Sequence, residues 1–167
     1  MSDQALGPRR VRVIGLGNSI LKDDGVGIHV ARALRRRLAE GAGAPGGAID
    51  VVEACQAGFG LLDLLQGWDH VVIIDALMLD GLAPGEIVCL RPTDVRATPH
   101  LCAAHGIDLP TALALGEQLG YAMPREIVIF AVQAADLATL SEQLSPPVAA
   151  AIPEVLAQVL GHLATCA

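Results

Sequence analysis

A continuous run of four β-branched residues at positions 71–74 (Val-Val-Ile-Ile) constrains the fold more than any other feature of the sequence. A strand with one face in water alternates apolar and polar residues, whereas an unbroken apolar run is typical of a strand covered on both faces. Such strands occur in parallel sheets that carry helices on each side. The run therefore indicates a layered α/β domain, and Asp75, which follows it directly, is predicted to end the strand.

The order of the other predicted elements supports the same fold class. Runs of β-type residues predict further strands at positions 11–14, 49–52, 86–90 and 127–132. Apolar residues at helical spacing predict helices at 26–38, 61–65, 109–119 and 146–163. A short Gly/Pro turn precedes residues 86–90, so this strand should be antiparallel, at an edge. We therefore expect residues 1–167 to form a single three-layer α/β domain, with a mostly parallel, twisted sheet of five strands, one antiparallel edge strand, and helices on both faces.

Composition and charge exclude several classes of function. Apolar residues make up 53% of the chain and charged residues 17%, which is too apolar for a disordered protein. The formal charge of −7 has the wrong sign for binding a phosphate backbone, and 2% aromatic residues provide few rings for base stacking. We therefore expect no nucleic-acid partner.

Three further features bear on the compartment. Residues 1–10 lack the apolar run of a signal peptide, and the four cysteines form no C-x-x-C pair and no regular disulfide framework. In the last predicted helix, Glu154, Gln158 and His162 fall on one face, which favours an amphipathic surface helix over a membrane span. We expect a cytoplasmic protein that neither spans nor binds a membrane.

Gly15 and Gly17 follow the first predicted strand and begin like a dinucleotide-binding fingerprint. However, Ile20 stands in place of the third glycine, and Asp23 and Asp24 follow where phosphate would lie. A tight turn from strand to helix, in which glycine supplies a positive φ, is the favoured alternative. Either aspartate can cap the helix that follows, which would leave the other free to face the crevice beyond the strand ends.

Three polar groups are predicted near the carboxyl ends of strands, where open α/β sheets bind their ligands. They are a carboxylate of the Asp23–Asp24 pair, Asp75, and His105 at the end of the long loop before residues 109–119. Two carboxylates and an imidazole suit a borderline divalent metal such as zinc, copper, iron or nickel. Three protein ligands would leave positions for water or a substrate group. The alternative role for Asp75 is to cap a helix or turn.

The remaining histidines and cysteines have other interpretations. His100, Cys102 and His105 form H-x-C-x-x-H, an alternative metal cluster with no fourth ligand nearby. The other three histidines are predicted on the surface, in a turn or on a polar helix face: His29, His70 and His162. Cys55 is interpreted as a small core residue, the commoner role of a free cysteine.

Four sequence blocks resemble those of the NiFe-hydrogenase maturation endopeptidases, in the family's order and spacing. The first is Gly15-x-Gly17-Asn18-x-x-Leu21-x-Asp23-Asp24-Gly25-x-Gly27. The second is Ala57-Gly58 before a leucine-rich helix, and the third is Asp69-x-Val71-Val72-Ile73-Ile74-Asp75-Ala76. The fourth is His105-Gly106-x-x-Leu109-x-x-x-Leu113. The resemblance runs over residues 11–160, nearly the whole chain.

This resemblance implies a cytoplasmic endopeptidase that removes a C-terminal extension from the precursor of a hydrogenase large subunit after nickel has been inserted. Matched by motif, Asp24, Asp75 and His105 take the positions of the family's metal-contacting residues, which are also the implied catalytic residues. The nickel is expected to arrive with the substrate rather than as a permanent cofactor, and zinc or cadmium could replace it in crystals. Asp23 is a candidate general base, whereas Cys55 and Cys102 are disfavoured as nucleophiles.

One departure and two alternative functions remain open at this point. Gln56 stands where the second block often has threonine, which leaves substrate recognition at that block uncertain. A nickel-dependent docking or assembly protein without proteolytic activity would use the same three ligands. A nucleotide-binding enzyme is the second alternative, based on the glycine turn.

Overall fold

The computed structural model describes residues 9–41, 49–55, 59–94 and 109–166. The strands are β1 (Val11–Leu16), β2 (Ile49–Ala54), β3 (His70–Leu77), β4 (Ile87–Leu90) and β5 (Glu126–Gln133). The helices are α1 (Val26–Ala39), α2 (Phe59–Leu65), α3 (Leu109–Gln118) and α4 (Pro146–Thr165). A 3-10 turn at Lys22–Gly25, which the sequence analysis did not predict, precedes α1.

The five strands form one sheet in the order β2-β1-β3-β5-β4. β1 pairs in parallel with β2 and β3, and β3 pairs in parallel with β5. β4 pairs antiparallel with β5 at the edge. The predicted fold class is therefore confirmed, including its antiparallel edge strand. The apolar run that indicated it lies in the central strand, all eight residues of which are buried.

Helices cover both faces of this sheet, as predicted. Val72 and Ile74 of β3 belong to the core cluster that contains residues of α1 and α4. Val71 and Ile73 belong to the opposite cluster, which contains residues of α2 and α3. Because successive side chains of a strand point to opposite faces, the uninterrupted run supplies both cores at once.

Helix α4 is the one helix among the described residues that is long and apolar enough to cross a membrane, with a mean hydropathy of 1.4. Its buried residues recur every three or four positions: Val148, Ala151, Val155, Val159 and Leu163. This stripe packs against α1 and β5, which is the pattern of an amphipathic helix on a domain core. The helix continues through Pro153 to Thr165.

Three glycines place α1 and the 3-10 turn directly on the sheet. A Cβ atom on Gly15 would meet the carbonyl oxygen of Gly27, and one on Gly27 would meet the carbonyl oxygens of Leu16 and Ile74. Gly17 has a φ of +134°, and a Cβ there would meet the carbonyl oxygen of Asp24. The predicted tight turn with a positive φ is therefore confirmed at Gly17, whereas Gly15 allows a close approach of helix to strand.

Candidate active site

Asp24 and Asp75 lie beyond or near the carboxyl ends of two neighbouring strands, β1 and β3. The chain leaves β1 toward β2 on one side, and leaves β3 toward β5 and β4 on the other. This reversal of strand order is the switch point at which open α/β sheets bind ligands. The 3-10 turn that carries Asp24 contacts β3, so the fold brings both residues to the same edge.

Asp75 lies inside β3 and does not end it, which corrects the prediction. The strand continues to Leu77 because β5 pairs with it as far as Gln133, with Asp75 opposite Ala131. The pairing of β1 with β3 ends at Gly15 and Ile74, one residue before Asp75. Asp75 is therefore the first residue of β3 beyond that pairing, next to the switch point.

The Asp75 side chain is 6% exposed, and its Oδ1 accepts a hydrogen bond of 2.8 Å from the backbone N–H of Ala76. By strand alternation it lies on the face of β3 that includes Val71 and Ile73. Burial of a carboxylate costs free energy that partners must offset. Placing a carboxylate at position 75 therefore lowers the stability of the fold unless its partners compensate, and such unfavourable burial is typical of a functional site.

Asp24 is a half-buried carboxylate with a defined orientation. Its Oδ2 accepts a hydrogen bond of 2.6 Å from the backbone N–H of Asn18 in the glycine turn. Burial raises the pKa of Asp24 above its ordinary value, and the bond from Asn18 partly offsets the rise. A carboxylate that has lost part of its hydration gains more from a nearby cation than an exposed one does.

Asp23 has a structural role in this fold, which disfavours it as the general base. It is fully buried and its Oδ2 accepts from the backbone N–H groups of Ala135 and Asp136 at 2.9 and 3.0 Å. The Oδ1 accepts from the Ser145 N–H at 2.6 Å, and the Ser145 hydroxyl donates to Oδ2 at 2.8 Å. These four bonds tie the 3-10 turn to the segment that follows β5, and they occupy the oxygens a base would need.

Neither aspartate caps α1, contrary to prediction. The N-cap of α1 is Gly25, without a capping bond from a side chain. The intervening 3-10 turn displaces both carboxylates from the capping position: Asp23 points into the protein and Asp24 bonds back to Asn18. The prediction that one of the pair faces the crevice beyond the strand ends therefore now concerns Asp24 alone.

His105, the third predicted ligand, lies outside the described residues, as do His100, Cys102, Gln56, Ala57 and Gly58. The roles proposed for them stay predictions. Cys55, at the end of β2, is exposed, so its interpretation as a core residue is wrong.

Glu53 of β2 forms ion pairs with Arg32 and Arg35 of α1, with N–O distances of 3.0 and 2.9 Å. Burial acts to raise the pKa of Glu53, but the bonds and charges of the two arginines lower it below its ordinary value. Its carboxylate is held toward α1 as a structural contact between helix and strand.

Two residues that support this edge were missed. Lys22, at a φ of +31°, pairs through Nζ with the carboxylate of Asp136 at 3.1 Å. The buried amide of Gln133 accepts from the N–H of Leu79 at 3.0 Å and donates to its carbonyl at 3.2 Å. Their position after β1 and at the end of β5 was the available signal, but the sequence does not show which backbone groups they meet.

The predicted position of His70 in a turn is also wrong. His70 begins β3 and is 1% exposed, and burial lowers its pKa below the ordinary value. His162 of α4 is half-buried, with its Nε2 3.0 Å from Nε2 of His70. His29 is half-buried on α1 rather than fully exposed.

Together, these features define a small α/β protein with an acidic site at the switch point of a five-stranded sheet. Comparison with known proteins identifies the class. Residues 28–162 match the family model described as hydrogenase maturation protease, so the chain belongs to that family. The matched range includes β3 with Asp75 and the position of His105.

Individual relatives match over a wider range. The chain is 29% identical to the hydrogenase 2 maturation protease of Escherichia coli K12, over 92% of this chain and 90% of the relative. The solved structure of the E. coli hydrogenase maturating endopeptidase HybD superposes with a TM-score of 0.74 at 28% identity, covering 92% and 91% of the two chains. The HybD protease of Thermococcus kodakarensis gives 0.67 at 29% identity, covering 93% and 99%.

These findings identify the protein as a peptidase, a hydrolase that processes hydrogenase precursors. The fold and the position of Asp75 are consistent with that activity, since the acidic site lies at the switch point where open α/β sheets bind their ligands. The nucleotide-binding interpretation of the glycine turn is disfavoured, because Gly17 is explained by its contact with Asp24.

Proposed function

We propose that this enzyme acts in the cytoplasm on the nickel-loaded precursor of a NiFe-hydrogenase large subunit and removes its C-terminal extension. The nickel carried by the precursor is the recognition element, bound by Asp24, Asp75 and His105. The observation that supports this most directly is the placement of two partly or fully buried carboxylates, Asp24 and Asp75, at the switch point of the sheet.

The chemistry of these residues suits such an ion. Nickel is a borderline metal that accepts imidazole nitrogen together with carboxylate oxygen. Binding through the ion would fix the precursor relative to the protease, and fixed geometry supplies a large part of the rate enhancement in many enzymes. The ion also provides a Lewis acid that can polarise a carbonyl or activate water. The four hydrogen bonds of Asp23 support a structural role for it rather than a role in proton transfer.

Exposed apolar side chains near the same edge favour a protein substrate. Ile20 is 51% exposed and follows β1, Met78 is 41% exposed and follows β3, and Leu140 is 75% exposed and follows β5. The N–H of Ser141 bonds to the carbonyl of Ile20, which places Leu140 beside it. An apolar rim of this kind is typical of a surface that contacts another protein.

Cleavage of a purified precursor tests the proposal. Nickel-loaded and nickel-free precursors are incubated separately with the enzyme, and the loss of the extension is followed by mass spectrometry. Only the loaded precursor should be cut. Equal cleavage of both would exclude nickel recognition, and tight binding without cleavage would support the docking alternative.

Substitution of Asp75 tests the site itself. Asp75→Asn is nearly isosteric and keeps an oxygen for the Ala76 N–H, so stability should change little. The processing rate should fall at least about 100-fold, because a displaced or unbound substrate centre is no longer aligned. Asp63→Asn, at an exposed position of α2, is the matched control and should process normally. A normal rate for Asp75→Asn would refute the assignment.

A further inference from the structure

A second group of metal-ligating side chains lies at the amino ends of the parallel strands, opposite the acidic site at their carboxyl ends. His70 is the first residue of β3, whereas His162 and Cys166 lie at the C-terminal end of α4. His70 and Asp75 are five positions apart in β3, which is about 16 Å at the usual rise of a strand. We call His70, His162 and Cys166 the amino-edge cluster.

The three donor atoms of the amino-edge cluster lie close to one another. Nε2 of His70 and Nε2 of His162 are 3.0 Å apart, and Sγ of Cys166 lies 3.9 Å and 3.7 Å from them. With Zn–N bonds of about 2.0 Å and a Zn–S bond of about 2.3 Å, tetrahedral geometry separates two nitrogens by about 3.3 Å and nitrogen from sulfur by about 3.5 Å. The observed N–N and N–S separations are within about 0.4 Å of these values. Sγ of Cys166 also lies 4.0 Å from Nδ1 of His70, so binding requires the thiol to turn toward the lone pair of Nε2.

Glu126 gives independent support for a metal ligand at His70. Its Oε2 lies 3.1 Å from Nδ1 of His70, at the neighbouring position on β5. A carboxylate there accepts a hydrogen bond from Nδ1–H, which leaves the lone pair of Nε2 directed into the cluster. This carboxylate–histidine arrangement is the usual outer support of a metal-bound imidazole.

The two α4 residues are placed by helix geometry. His162 and Cys166 are four residues apart, so they share one face of the helix end. His162 is half-buried and Cys166 is 7% exposed, which leaves limited access for water. The cluster is therefore partly enclosed, and His162 is its most exposed member.

We propose that the amino-edge cluster binds one zinc ion through Nε2 of His70, Nε2 of His162 and Sγ of Cys166, with water as the fourth ligand. Coordination forms two Zn–N bonds and one Zn–S bond, keeps one water of the hydrated ion, releases its other waters to solvent, and releases the thiol proton of Cys166 to solvent. The ion links the end of α4 to the start of β3 and is separate from any metal at the acidic site.

Zinc and cobalt titrations of the full-length, metal-stripped, reduced enzyme test this site. Cobalt should produce the absorption of a thiolate-bound, tetrahedral ion at one equivalent per chain. Zinc at about 100 times its Kd should displace the cobalt and raise Tm by roughly 5–10 °C. A wild-type protein without the thiolate–cobalt absorption would overturn the proposal and leave the cluster as a hydrogen-bonded contact.

Matched variants separate this cluster from the rest of the chain. Cys166→Ser and His162→Gln should both lose the cobalt absorption and the zinc-dependent rise in Tm. Cys89→Ser, at an exposed thiol of β4, and Asp75→Asn, at the acidic site, should keep both. If Cys166→Ser fails to fold, His162→Gln gives the same answer. Retention of the thiolate signal in either cluster variant contradicts the assignment.

Discussion

Replacement of Asp23 is expected to lower the free energy of unfolding of the enzyme without removing a group that takes part in catalysis. In Asp23→Ala, the backbone N–H groups of Ala135, Asp136 and Ser145 and the hydroxyl of Ser145 lose their acceptor. The Ser145 bonds are buried, and an unsatisfied buried donor costs about 1–3 kcal/mol. The other two bonds are part-buried, and water can replace part of each.

These contributions add to about 4 kcal/mol of lost stability, with roughly 2 from the Ser145 contacts and about 1 from each of the other two. For a domain of this size, that loss lowers Tm by roughly 8–16 °C. The measurement is urea and thermal unfolding followed by circular dichroism. Asp63→Ala, at an exposed aspartate, is the control and should change stability by less than about 0.5 kcal/mol.

Asp23→Asn separates this structural role from a chemical one. It keeps one oxygen but presents an amide to N–H donors, so it should be destabilised less than Asp23→Ala and still process precursor below its Tm. A loss of less than about 1 kcal/mol in Asp23→Ala would refute the stability argument. Loss of processing by a fully folded Asp23→Asn would return Asp23 to the catalytic residues.

Two further predictions follow from the contacts around the acidic site. Gly27→Ala should destabilise the enzyme by about 3 kcal/mol, because its Cβ would meet backbone oxygens of β1 and β3 that cannot move aside. Gly161→Ala, in open space on α4, should instead stabilise by up to about 1 kcal/mol, and a similar effect of both changes in urea unfolding would contradict the packing argument. The hydroxyl of Thr139, the N–H groups of Ala138 and Thr139, and Lys22 hold the pKa of Asp136 well below its ordinary value of 3.8. A lowered pKa stabilises the fold above pH 3.8, and that stabilisation is lost as the pH falls below 3.8. Asp136→Asn should therefore lower the urea midpoint of unfolding at pH 6, and lower it by less at pH 2.5. Equal decreases at the two pH values would contradict this argument.

The sequence was sufficient for the fold class because its strongest signals are local and consistent. The apolar run in β3 and the four-residue spacing of Val26, Val30 and Leu34 in α1 each predict one kind of element, and their alternation predicts a parallel sheet. The order of the strands was not predicted, since it depends on pairings between residues far apart in the chain. Resemblance to a family, rather than residue pattern alone, selected Asp24 from the Asp23–Asp24 pair.

The errors have the same physical origin. His70 follows Asp69 and resembles a turn residue, but pairing with Val11 and Glu126 draws it into β3. Its contact with His162 joins residues 92 positions apart, which no local pattern indicates. Asp23 and Asp24 are adjacent and chemically identical, and only the 3-10 turn determines that one is buried and the other faces the turn at Asn18.

The contacts between the Asp24 turn and the segment after β5 have a consequence for substrate binding. The bridge between Leu21 and Ser141, the Lys22–Asp136 ion pair and the Asp23 hydrogen bonds hold these two segments together before any substrate arrives. Association therefore costs little conformational entropy in these segments of the protease, and the entropic cost of ordering falls mainly on the precursor. The affinity for the precursor should consequently depend more on the stiffness of its bound segment than on substitutions in the Asp24 turn or in the segment after β5.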